Sequence, residues 1–328
     1  MGLVGLWLAA LALLNSPKLP HSNAISLHDA VGVAQLVFAS VAGAGALVAL
    51  VVAYRRQRVA ETGSAHDRTR IFNERFTAIA TQLGDDQAAV RLAGVHAMAG
   101  LADDWKENRQ TCVDVLCAYL RIPYGPEPGG NAPTQKRLAY RADREVRHTI
   151  TRLIGAHLRP EASPSWQGLD LDFTGAQFDG CDFSRAEFSG GRVNFEGAQF
   201  SGGKNIFGDT RFSGGMVLFA GAKFSGGWVH FSLSEFCGAK VLFALAEFSG
   251  ADIYFNDAKF SGGLVDFGDA VFSGGMVTFY DAEFSGSEVS FSHAGFSGSA
   301  IDFSHVADWS HPPTFDWKGA PPAGVTLP

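Results

Sequence analysis

The stretch Ala222-Lys-Phe-Ser-Gly-Gly-Trp-Val-His-Phe231 decides the fold. Its two Phe are seven residues apart, and Phe236 follows after five. The alternation runs back through Phe219, Phe212, Phe207, Phe200 and Phe195 to Phe188, and forward through Phe243, Phe248, Phe255 and Phe260 to Phe303. Before Phe188 the gap is a uniform five, at Phe173, Phe178 and Phe183. Of the 27 Phe, 23 lie on this grid. A period that regular implies a solenoid.

Two residues before most grid Phe stands a small or apolar residue: Ala176, Cys181, Ala186, Val193, Ala198, Val217, Ala222, Val229. In an extended chain, residues two apart share a side. Each Phe therefore ends a short strip whose apolar pair points inward and whose intervening residue points out. Ser-Gly-Gly or two-residue corners separate the strips, and Gly takes positive φ there at little cost. A twelve-residue coil is too narrow for two Phe. Four strips make a coil of square section with about 24 residues. The 23 strips then give just under six coils. At a strand spacing of about 4.8 Å, the rod is roughly 28 Å long.

That period predicts the outer faces. Glu187, Arg211, Glu235, Lys259 and Glu283 stack in one column, with alternating charge. One face shows Met216, Leu218, Leu242 and Leu264, and the opposite one shows Ile206, Trp228, His230, Tyr254, Met276 and Thr278. Contiguous outward aromatics and Met mark a candidate partner surface.

Ala176-Gln-Phe-Asp-Gly180, Cys181-Asp-Phe-Ser-Arg185 and Ala186-Glu-Phe-Ser-Gly190 resemble the pentapeptide-repeat pattern A-[DN]-[LF]-x-x. The resemblance implies a right-handed quadrilateral β-helix. The chain departs from the pattern after Phe188, where two residues enter every second corner. A coil of about 24 residues is therefore expected after that point. Upstream, Phe76 to Met98 looks like the helical segment of membrane-anchored bacterial pentapeptide-repeat proteins. That likeness implies a bacterial cell membrane location.

The N-terminus fits a membrane. Val31 to Ala53 carry no charge. Their 23 residues span roughly 34 Å as a helix, enough for a hydrocarbon core of about 30 Å. Arg55, Arg56 and Arg58 follow and anchor that end in the cytoplasm. Gly2 to Leu14 is a shorter apolar stretch, read as the first arm of a two-helix hairpin with both ends inside. Ala39/Gly43 and Ser40/Ala44 are small pairs that permit close packing with another helix or a second copy.

Between the span and the repeat, apolar residues recur at helical spacing. Ile71 to Leu83 is one helix, stopped by Gly84, and Val90 to Leu101 is a second. Asp103 and Asp104 suit the N-cap of a third running to Leu120. Pro123 to Pro133 reads as a loop, and Arg141 to Leu158 as a fourth helix, which closes one end of the solenoid. The tail, Val306 to Pro328, leaves the repeat, with Trp309, Phe315 and Trp317 closing the other end.

The chain is thus read as α+β and multi-domain: a transmembrane region 1–54 with its second span at 31–53, a cytoplasmic helical domain 55–160, a β-helix 165–305 and a cap 306–328. Apolar residues at 46% exclude a mostly disordered chain. Residues 55–159 hold 17 basic and 12 acidic residues, while 170–302 hold 7 and 17, so the modules face different surroundings.

Catalysis is not expected. Cys112 and Cys117 lie about 140° apart on a helix, a poor pair for a metal, and read as buried cytosolic thiols. The Lys136 to Arg152 stretch is a solvated face or an anionic-lipid patch. Gly-Gly-x-Val-x-Phe shares only its glycines with the calcium nonapeptide. No Walker loop, H-E-x-x-H or Ser/His/Asp set is present, and no cofactor is expected. Two functions remain: a membrane-tethered scaffold docking an unknown protein partner, and a DNA-mimic inhibitor of a type II topoisomerase. The acidic balance of 170–302 suits the second in sign. The alternating column, which breaks up any acidic stripe, argues against it, and the net charge of −7 argues against nucleic acid as partner.

Overall fold

The computed structural model describes residues 27–328; the arm expected at Gly2 to Leu14 lies outside them. The chain divides into two units at Arg70/Ile71. Helix α1 (Leu27–Leu83) begins in the first unit and ends in the second. In the first unit, Gln35–Arg58 has mean hydropathy 2.5 and is long and apolar enough to cross a membrane, by length and composition. Among the described residues its apolar side chains are exposed: Leu36 is 72% and Phe38 74% exposed. Arg55, Arg56 and Arg58 close the segment and are exposed.

In the second unit the end of α1 packs with α2 (Ala88–Asp104), α3 (Arg109–Arg121) and α4 (Thr134–His157). Each buries an apolar stripe: Val95, Met98 and Ala102 on α2, Cys112, Val113, Leu116 and Leu120 on α3, Val146, Ile150 and Ile154 on α4. Asp103 and Asp104 do not cap α3. They end α2, and Asn108 precedes α3 after a 3-10 turn at Lys106–Asn108. α4 starts earlier than its apolar spacing indicates, directly after Pro133. Its first turns, rich in Gln, Lys, Arg and Leu, are helix formers with nothing to bury.

Arginines hold the α1–α2 linker and cap two helix ends, where carbonyls lack partners. Arg91 Nη1 donates to the Asp85 and Asp86 carbonyls after α1, at 2.8 and 2.9 Å. Arg109 Nε reaches Ala102 O at the end of α2, at 3.0 Å. Arg147, buried and without a carboxylate contact, donates to Ile122 O at 3.0 Å and to Leu120 O at the end of α3. The negative end of a helix dipole suits Arg109 and Arg147.

From Leu171 the chain winds a parallel β-solenoid of about six turns. Phe212, Phe219, Phe224 and Phe231 mark its four sides in one coil. Successive Phe on each side stack flat, as in Phe212–Phe236 at 4.8 Å and Phe219–Phe243 at 4.7 Å. A coil holds about 24 residues. The first is shorter, because its corners lack the extra pair: there Phe173 stacks on Phe195 and Phe178 on Phe200. From Phe183, which stacks on Phe207, the full period holds. Hydrogen bonding groups the strands into three sheets, because Glu187–Asn194, Arg211–Leu218, Glu235–Leu242 and Lys259–Asp266 each continue around a Ser-Gly-Gly-type corner.

The corners explain the glycines. At Gly227, φ is +74° and an added Cβ would strike the Gly203 carbonyl of the preceding coil. The five-residue corners are turns closed by bonds such as Ala246 N–H to Phe243 O at 3.0 Å, with positive φ at the residue before the donor. Gly or Asp usually holds that place, but Leu245 holds it at φ +59° while 63% exposed.

The tail does not leave the repeat. Phe315 stacks on Phe291 at 5.2 Å, and Val325–Thr326 pairs in parallel with Ile301 and Asp302, one full coil earlier. Trp309 and Trp317 pack edge-on against Phe284 and Phe296. The tail is a last, proline-rich coil; with fewer backbone donors, it blunts the open sheet edge. At the other end Gly155 of α4 lies against the Asp182 carbonyl, where a Cβ would come within 2.5 Å.

Gly227→Ala is expected to cost about 2–4 kcal/mol, from left-handed strain and the backbone clash. Gly295→Ala, with nothing within 4 Å, is expected to be neutral. Leu245→Gly should stabilise by about 1 kcal/mol by removing the strain. Urea unfolding of the full chain in mild detergent, followed by far-UV circular dichroism, ranks the three.

Candidate interaction surface

Strand register puts Glu187, Arg211, Glu235, Lys259 and Glu283 in one column on the Phe212 side. Arg211–Glu235 lie 3.6 Å apart and Lys259–Glu283 3.7 Å. Glu187 instead accepts a bond from Ser213 Oγ at 3.0 Å. A shorter charge pair, Lys223–Glu247 at 3.3 Å, stands on the Phe224 side. These pairs are exposed, and each is worth about 0–1 kcal/mol.

The two less polar faces lie on the remaining sides. On the Phe219 side, Met216 pairs in register with Lys240 and then Leu264, and Leu218 with Leu242. Leu218 is only 7% exposed, held between Asn194 and Leu242 of the flanking coils, so it offers little to a partner. Met216, Leu242 and Leu264 are half-buried.

The Phe231 side carries two outward columns. One runs Lys204, Trp228, Asp252 and, with Ala300 after it, Met276; the other runs Ile206, His230, Tyr254, Thr278. His230 and Tyr254 stack at 4.8 Å, and the Lys204 ammonium lies 5.4 Å from the Trp228 ring centre. Trp228 is 44% exposed. Burial, then the Lys204 charge, lowers the His230 pKa and keeps the ring neutral.

One cluster escaped the sequence reading. Asp179 follows Phe178 where, in the alternate Phe series from Phe188 to Phe296, Ser follows at every place but Cys237, and that break was its only signal. It receives Tyr140 Oη at 2.7 Å, contacts His148 Nε2 at 2.9 Å and pairs with Arg144 Nε at 3.0 Å. Tyr124 stacks on Tyr140, and the Arg147 guanidinium lies over Tyr124 at 4.3 Å. Burial alone would raise the Asp179 pKa; hydrogen bonds from His148, Tyr124 and Tyr140 outweigh it and hold the carboxyl well below its usual range. Burial, then Asp179, pushes the Tyr140 hydroxyl up to about 12. A cavity of about 260 Å³ adjoins the cluster, lined by Arg144, His148, Arg152, Lys204 and both Asp179 and Asp182. With cations facing carboxylates, the cluster joins α4 to the first coil. The basic stretch is therefore partly structural: Arg144 and Arg147 are committed, and Arg152 pairs with Glu145 at 2.7 Å.

Burial pushes the Cys112 and Cys117 thiols up to about 11 and about 12. Thiols that hard to ionise are inert.

Residues 170–204 match the family model for pentapeptide repeats, eight copies. The matched repeats open the four-sided parallel β-solenoid of the C-terminal region. The match covers the first coil, with its five-residue Phe spacing, and extends past the first seven-residue corner after Phe188. No curated protein and no solved structure matches the chain.

The Asp179 pKa in the folded chain lies below its ordinary 3.8. Its stabilisation is complete above that pH and drains away as pH falls through the folded value. Asp179→Asn should lower stability at pH 7 and flatten the acid-induced loss between about pH 4 and pH 2. Urea midpoints read from tryptophan fluorescence across that range would check both effects, since Trp166 is buried at the same end of the solenoid.

Proposed function

We propose that this chain is a non-catalytic, membrane-tethered scaffold whose solenoid docks a protein. The observation that carries the reading is the Phe231 side. There the repeat could hold any polar residue outward, yet Ile206, His230 and Tyr254 form one column, with Trp228 and Met276 in the column beside it. Aromatic and Met side chains of this kind dominate binding energy when a partner covers them. The flat Phe219 side, with Met216, Leu242 and Leu264, is a second, weaker surface.

The tether is Gln35–Arg58. Its apolar surface is exposed among the described residues, and Arg55, Arg56 and Arg58 would hold its end at the cytoplasmic face of a bacterial membrane. Glu235, Glu247 and Glu283 pair to Arg211, Lys223 and Lys259, which breaks up these acidic columns and weighs against mimicry of a DNA backbone.

The full-length protein, cross-linked in cells and solubilised in mild detergent, should co-purify with its partner from the membrane fraction. Trp228→Glu/Tyr254→Glu should lose that partner by about tenfold or more, while solenoid stability is kept because both side chains point outward. Undiminished recovery of every cross-linked chain in the double variant would sink the docking surface. A chain found wholly in the soluble fraction would sink the tether.

A further inference from the structure

The centre of the Phe231 side has an internal symmetry. One coil before strand Trp228–His230 stand Lys204 and Ile206; one coil after stand Asp252 and Tyr254. A two-fold axis lying in the face along that strand exchanges these two coils and leaves each residue's place along the strand unchanged. Two copies laid face to face about this axis set Lys204 opposite Asp252 of the second copy, twice. They also set Ile206 opposite Tyr254 and Trp228 opposite Trp228.

Charge makes the match specific. On the neighbouring sides, opposite charges stand one coil apart and pair within the chain, as Arg211 does with Glu235 and Lys223 with Glu247. Lys204 and Asp252 are separated by the Trp228 coil, so about 10 Å divides them, too far to pair in one copy. Among the described residues neither enters an ion pair. Lys204 is drawn toward the axis over the Trp228 ring. Asp252 is held in place by the Met276 N–H, which donates to its Oδ1 at 3.2 Å. The exposed Trp228 lies on the axis between the two charges, where a ring with bulk and polar reach is most useful.

We propose that the Phe231 side is a self-complementary interface through which two copies of this chain associate, closed by two reciprocal Lys204–Asp252 pairs around a Trp228 pair. Such a contact is isologous and closes as a dimer, with no open filament. It is also small. The three coils matched by the axis, with two outward positions each, give a patch of about 14 by 7 Å, well under the roughly 800 Å² per partner of a standard interface. The association is therefore weak in solution, and it rests on the tether proposed above to concentrate the copies in a membrane. It deepens the docking reading by naming the occupant of the face as a second copy.

The test is charge reversal in the full-length chain, reconstituted in lipid vesicles with donor or acceptor dyes at the C-terminus. Energy transfer at a fixed protein-to-lipid ratio reads self-association. Lys204→Asp alone and Asp252→Lys alone each oppose like charges twice, and each should weaken association by about tenfold or more. An equimolar mixture of the two variants should regain the wild-type signal, because the acid at 204 of one then faces the base at 252 of the other, and the native pair survives at the second position. Wild-type transfer in either variant alone would overturn the proposal and move self-association to the membrane segment. A mixture no better than its components would overturn it as well. Loss of a different protein in Trp228→Glu/Tyr254→Glu, with energy transfer unchanged, would leave the docking reading standing and remove this one.

Discussion

The stacking of Phe on Phe from coil to coil is the constraint from which the rest follows. Ring centroids on each side repeat at about 4.4 to 5.4 Å. A Phe buries 150–250 Å² or so, and a stacked pair adds about 0.5–1.5 kcal/mol beyond that area. No outward contact competes with this. Exposed ion pairs worth about 0–1 kcal/mol cannot fix the register of a coil; they ride on a register the rings impose. The corners are equally subordinate. They must turn the chain within the strand spacing, so one coil's backbone meets the next where a side chain would stand, and Gly227 over Gly203 is the result. Where Ser replaces the second glycine, as at Ser287 and Ser299, the side chain finds a use: each hydroxyl donates to a carbonyl of the coil before, at 2.8 Å.

This hierarchy accounts for what was legible in the residues alone. The four-sided coil and its length could be read because one residue type marks every side at fixed spacing, and the charge column followed from that period. The tail could not, because its coil replaces the marker: Trp309, Phe315, Trp317 and Leu327 stand near the positions where Phe would continue the four sides. Its register is seen only through the Phe315 stack and the Val325 pairing. Outwardness also proved a poor guide to exposure at Leu218, since flanking coils cover a side chain that the alternation points away from the core. The Asp179 cluster needed the position of α4, a tertiary fact that no local spacing carries. Asp103 shows the same limit. Its carboxylate suits a cap in sequence, yet it accepts Trp166 Nε1 at 2.9 Å and meets His157 at 3.2 Å, tying α2 to the end of α4.

A solenoid separates its interior from its exterior more sharply than a globular domain does. Any outward residue that tolerates a strand is compatible with the fold, so stability explains little about the outer columns. Function is therefore to be sought where the chain departs from the cheapest repeat. Strained, exposed leucine turns occur on two sides, at Leu245 after Phe243 and at Leu233 after Phe231, and the Phe231 side adds a further cost. Asn205 takes an inward place that Val229, Ile253, Val277 and Ile301 hold in later coils; its Nδ2 donates to Gly202 O, but among the described residues its Oδ1 accepts no hydrogen bond. A buried amide left so costs about 1–3 kcal/mol. On either side of it stand Lys204 and Ile206, and one coil on comes Trp228. The Leu233 turn, with φ +62° and 59% exposure, closes the same coil as Trp228. Unfavourable choices gathered on adjacent coils of one side, beside the most exposed aromatic of the solenoid's strands, are what a binding face held by a rigid, over-determined core would tolerate. The Phe212 side, with its small, paired charges, shows no such cost. That contrast between two sides of one coil, built from the same twelve-residue unit, is the strongest physical ground for assigning the interaction to the Phe231 side.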